Sequence, residues 1–102
     1  APLLRSDPSD ELLEAWDTAA LFLRYAERFL NRRLRSQVRE ALPAEPFYLA
    51  SFVCANCRLG PPEQQELLAA PSLIDRLRLV REFMSSQLAA SGPVEPTRAA
   101  RA

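Results

Sequence analysis

The segment Phe47 to Cys57, FYLASFVCANC, has few polar side chains and is fenced by helix breakers, with Pro43 and Pro46 before it and Gly60-Pro61-Pro62 after it. Proline is tolerated in the first turn of a helix but not in its interior, so the fences set the length of the element. A helix this apolar would be buried on most of its surface, and such a helix belongs at the centre of a bundle. With 102 residues the chain is one domain at most, able to bury roughly 60 to 65% of its unfolded surface. Two glycines point away from a β-rich fold with tight turns. The expectation is all-α: a small bundle of about four to five helices around Phe47 to Cys57.

The first helix should be long. Asp7-Pro8 is a good start, with aspartate as N-cap and proline at the first helical position. From there Leu12, Trp16, Ala19, Leu23, Ala26, Leu30 and Leu34 recur at alternating three- and four-residue spacing, which predicts one apolar face. Acids on the far side (Asp10, Glu14, Asp17) precede arginines (Arg24, Arg28, Arg32, Arg35), an order that complements the helix macrodipole. Ser36 to Leu42 either continues this helix or forms a short second one. After the central segment, Pro61 to Ala70 reads as a short helix. Ser72 with Asp75 then reads as a capping box for a last helix whose inner face is Leu73, Leu77, Val80, Met84 and Leu88. Residues 1–7 form an incoming segment, 8–89 the helical domain and 90–102 a mobile tail beginning near Gly92-Pro93.

Two absences exclude most chemistry. The chain has no histidine, and every basic residue is arginine. Without lysine there is neither a phosphate-loop lysine nor a Ser-Lys catalytic pair. Without histidine the commonest general base and the commonest zinc ligand are gone. Thirteen basic and thirteen acidic residues cancel, leaving no long-range field for nucleic acid or an anionic membrane. The apolar runs are too short to span a bilayer and no secretory signal opens the chain, so a cytoplasmic location is expected.

Three patterns stand as candidate sites. Cys54-Ala55-Asn56-Cys57 could supply half of a tetrahedral zinc site, but no third cysteine and no histidine complete it. Two buried thiols acting as small apolar side chains is the plainer reading, with a metal shared between two chains as the alternative. Arg24, Arg28, Arg32, Arg35 and Arg39 fall in one narrow stripe if the helix is continuous. They form a solvated face or a grip for an acidic partner. Phe22, Tyr25 and Phe29 lie off the main apolar stripe. They pack into the core, or they form an interface that another copy or a partner covers.

The order of elements from Pro46 to Leu88 resembles the end of the LON substrate-binding domain, the amino-terminal recognition domain of Lon-type ATP-dependent proteases. In that family an alanine-rich helix is followed by a loop, a Gln-x-x-Leu-Leu helix and a capped helix with Arg-Leu. The matching positions are Gln65, Leu68, Arg76 and Leu77, with Leu59-Gly60-Pro61 and Pro71-Ser72 between them. The resemblance implies the helical half of such a domain, no catalytic residue, no cofactor, and recognition of unfolded or damaged proteins for delivery to an ATPase ring and proteolytic chamber. It also implies a preceding β-rich half, which this chain lacks together with the ATPase and protease modules. The expectation is either a cut or processed product, which the absent initiator methionine favours, or a stand-alone relic of the domain. The contrasting function is a small helical scaffold or regulator that holds an acidic partner on its arginine face.

Overall fold

The computed structural model describes residues 3–91, and among them forms five helices and no strand. They are α1 (Pro8–Phe29), α2 (Arg32–Ala41), α3 (Pro46–Asn56), α4 (Pro61–Ala69) and α5 (Leu73–Ser91). The expected stop at Gly92-Pro93 and the tail after it lie outside the described residues. Four of the five starts are closed by a side chain that accepts a backbone N–H. Asp7 accepts from Ser9, Asn31 from Leu34, Glu45 from Tyr48 and Ser72 from Asp75. Each satisfies one of the donors that a helix leaves orphaned at its N-terminus.

The core joins α1, α3 and α5. Leu73, Leu77, Val80 and Met84 of α5 are fully buried, as the sequence spacing predicts. α3 wedges against both long helices with Leu49, Ala50 and Val53, and leaves Tyr48, Ser51 and Ala55 in water. α1 and α5 run in the same direction, because their pairs advance together: Glu14 meets Arg78 and Arg81, Thr18 meets Arg81, and Tyr25 meets Gln87. Residues ahead of α1 are tied down. Leu3 packs on the core, and Leu4 exchanges backbone hydrogen bonds with Pro71 and Leu73 at 2.9 and 3.0 Å.

α1 departs from expectation in two ways. It stops at Phe29 rather than reaching Leu34, since Leu30 turns extended (φ −107°, ψ 148°) and Asn31 caps a new helix. An asparagine whose side chain takes over a backbone N–H ends one helix and opens the next. The inner face is also rotated by about a quarter turn from the Leu12–Leu34 stripe. Glu11, Ala15, Thr18, Phe22, Tyr25 and Ala26 are buried, while Trp16 is 61% exposed.

Polar anchoring explains the rotation. Glu14 accepts from Arg78 at 2.6 Å through one carboxylate oxygen and from Arg81 at 2.6 Å through the other. Arg81 also donates to Thr18 Oγ1 and to the Glu14 carbonyl. At the other end the buried Tyr25 hydroxyl donates to Gln87 Oε1 (2.5 Å) and accepts the Arg58 backbone N–H (2.9 Å). Turning Trp16 inward would break both sets. Phe22→Ala should therefore cost about 3–5 kcal/mol, whereas Trp16→Ala should stay within about 0.5 kcal/mol. Chemical denaturation of the two variants checks this.

Two carboxylates make the fold acid-sensitive. Glu11 is buried, and its pKa is held down first by the Arg5 guanidinium and also by the Ser6 N–H, against the cost of its burial. Glu14 is held down first by Arg78 and then by Arg81. A carboxylate whose folded pKa is depressed stabilises fully above its unfolded value of about 4.3, and that contribution is lost as pH falls through the folded value. Thermal midpoints should be flat near neutrality and fall below about pH 4.5. In Glu14→Gln the fall should be shallower.

Candidate functional site

α3, α4 and α5 leave a groove between them of about 360 Å³. Its α3 wall is Ser51, Cys54 and Ala55, which share one flank because they stand three and four residues apart. α4 contributes Gln64, Leu67 and Leu68, and α5 contributes Arg76. Leu67 is buried, whereas Leu68 beside it is 68% exposed. Small side chains on α3 opposite a leucine pair on α4 make the opening.

The polar groups at this groove are turned onto the protein's own backbone. Arg76 Nε donates to the Leu67 carbonyl at 3.0 Å, placing a cation at the C-terminal end of α4 where the helix dipole favours it. Gln64 Nε2 donates to the Leu59 carbonyl and Ser51 Oγ to the Phe47 carbonyl. What remains for a visitor is mainly apolar wall. Burial pushes the Cys54 thiol up to about 11, with Arg76 opposing, and pushes Cys57 up to about 12. Neither is a thiolate near neutrality, so neither is an activated nucleophile. Among the described residues no group of three or more His, Cys, Asp or Glu could hold a metal ion.

The residues singled out by sequence scatter. Phe22 and Tyr25 are fully buried within the chain, on the core side of the two readings their spacing left open. Phe22 meets Phe52 edge to face at 6.1 Å, and Tyr25 lies 4.6 Å from Phe29 between ring centroids. Phe29 is half-buried under the Arg58 guanidinium, which also donates to its carbonyl. The arginine stripe is interrupted, with Arg24 and Arg28 on α1 and Arg32 and Arg35 beyond the break on α2. Arg35 turns back to the Leu30 carbonyl, and Arg39 pairs with Glu27 at 3.8 Å.

Of the four positions that carry the family resemblance, Leu77 is core, Gln65 is exposed, and Leu68 and Arg76 line the groove. Ser51, Ala55, Gln64 and Leu67 complete it without having been singled out. The available signal was the flank of small residues, Ser51, Cys54 and Ala55, three and four positions apart on α3.

The family model for the ATP-dependent protease La (LON) substrate-binding domain matches residues 5–86. The chain belongs to this family. The LON match takes in α1 through α4 and most of α5, so the whole groove falls inside it. No curated protein and no solved structure matches the chain. Among the described residues no helix is long and apolar enough to cross a membrane. As a LON substrate-binding domain, the chain is of a kind whose role is to bind protein substrates.

The thiols provide a check on this geometry. At pH 8 the folded chain should react with a thiol-specific disulfide reagent many times more slowly than the urea-unfolded chain, with Cys54 reacting before Cys57. Equal rates in the two states would contradict the burial assigned to the pair.

Proposed function

We propose that this chain is a non-catalytic substrate-recognition module of a Lon-type ATP-dependent proteolysis system, and that it holds exposed apolar stretches of unfolded or damaged proteins in the groove between α3, α4 and α5. The observation that carries the reading is the mainly apolar groove within the family match, with Leu68 at its lip. An unfolded polypeptide differs from a folded one in presenting large apolar side chains to water, and a groove of this volume accepts one or two of them. Backbone-satisfied polar residues at the edge do not select a sequence, which suits a receptor for many clients. The cytoplasm is the proposed location, where the two unpaired thiols stay reduced.

The acidic-partner reading has less behind it. The helix break divides the arginines, and two of the five-residue series, Arg35 and Arg39, already serve the fold. Binding of an acidic partner there would collapse between low and moderate salt. Client binding in the groove should instead be nearly insensitive to salt.

Leu68→Asp tests the proposal. Leu68 is exposed, so the variant should keep its helical content and thermal midpoint. Its affinity for a fluorescently labelled, permanently unfolded model protein should drop at least tenfold, read by anisotropy, because a charge would replace about 1.5–3 kcal/mol of apolar contact. Unchanged affinity in the folded variant would overturn the groove assignment.

A further inference from the structure

The outer face of α1 carries a second apolar strip. Leu12, Leu13, Trp16, Ala19, Ala20 and Leu23 lie within an arc of about 120° of the helix surface. Leu12, Leu13 and Trp16 are exposed large side chains, and Ala20 is exposed between the two halves of the strip. This is the face that the rotation of α1 turned away from the core. An exposed run of contiguous apolar side chains on one helix marks an interaction site rather than scattered surface.

The border of that strip says what covers it. Asp10, Asp17, Arg24 and Arg28 follow one another along the same edge, acids in the first half and bases in the second. Under a two-fold axis passing close to Ala20, an identical helix runs antiparallel. Asp10 of one copy then faces Arg28 of the other, Asp17 faces Arg24, and both pairs occur twice. Trp16 meets Leu23, and the small Ala20 side chains meet at the axis, where backbones can approach. A parallel two-fold pairing would instead set this charged edge against the opposite edge of the strip, where Ala15, Ala19 and Ala26 offer no charge to pair with it. Glu27 closes the far end of the strip, held by Arg39 of its own α2. A self-complementary patch is the requirement for an isologous interface, and the zero net charge adds no overall repulsion between copies.

We propose that two copies of this chain associate through the outer faces of α1 as an antiparallel, two-fold dimer centred near Ala20. The dimer uses neither the groove nor any residue lining it, so the inference stands apart from substrate recognition. One helix pair covers less area than the roughly 1,200–2,000 Å² of a stable interface. Association is therefore weak and concentration-dependent.

Sedimentation equilibrium of the full chain, from micromolar to millimolar concentration, should show the mass rising from 11.5 kDa towards twice that value. Trp16, the single tryptophan, should shift its emission to shorter wavelength along the same curve. Ala20→Arg places a charge and bulk at the axis and should hold the chain monomeric with its circular dichroism unchanged. Asp10→Arg with Asp17→Arg, and separately Arg24→Asp with Arg28→Asp, should each weaken self-association at least tenfold. An equimolar mixture of the two double variants should restore it as a heterodimer, a gain that misfolding cannot produce. A monomer at every concentration would overturn the proposal. So would self-association unaffected by Ala20→Arg, or a mixture of the double variants that gains nothing.

Discussion

The rotational setting of α1 governs the rest of the molecule, and Glu14 is the residue that sets it. One carboxylate holds two guanidiniums of α5, Arg78 and Arg81, each at 2.6 Å. Because Arg81 also reaches the Thr18 hydroxyl, the two parallel helices are fixed in rotation as well as in separation. That setting sends Phe22 and Tyr25 inward against α3 and α5. It leaves Trp16 and Leu13 in water. Exposed ion pairs contribute little, but Glu14 and Arg81 are both mostly shielded by the helices they join, where screening is weaker.

From this setting the position of the groove follows. Tyr25 reaches both the backbone N–H of Arg58, just past the end of α3, and Gln87 of α5, so one hydroxyl ties three segments together. With α3 held on one flank by α1 and α5, its other flank carries Ser51 and Ala55, side chains too small to fill the space before α4. α4 is short and is secured through Arg76, which reaches back to the Leu67 carbonyl. The groove is thus the space left where a rigid three-helix core meets a lightly held fourth helix.

The fold was largely legible in the sequence. Capping residues and prolines marked the starts of α1, α3, α4 and α5, and the heptad-like leucines of α5 marked its buried face. The rotation of α1 was not legible. Two apolar stripes, Leu12–Trp16–Leu23 and Ala15–Phe22–Tyr25, lie about a quarter turn apart on that helix, and periodicity alone weighs them equally. The choice is made by partners more than sixty residues away, Arg78, Arg81 and Gln87, which no local pattern reveals. The helix break at Asn31 was hidden for a similar reason. An asparagine between two arginine-rich turns costs a helix little, and only the cap bond to Leu34 shows that it starts a new one. Of the candidate site, the family-pattern positions Leu68 and Arg76 were visible, while the small-residue flank of α3 became meaningful only once α4 lay opposite.

Under the proposed function, this LON-family helical bundle takes extended apolar chain into the groove between α3, α4 and α5. Backbone amide shifts of the isotopically labelled chain, followed by nuclear magnetic resonance during titration with a short unstructured peptide rich in leucine and phenylalanine, test it directly. Perturbations should concentrate at Ser51, Ala55, Leu68 and Arg76, with the buried run Leu73 to Met84 little changed. Perturbations centred on α2, or an absence of any at α3 and α4 while the peptide binds, would contradict it.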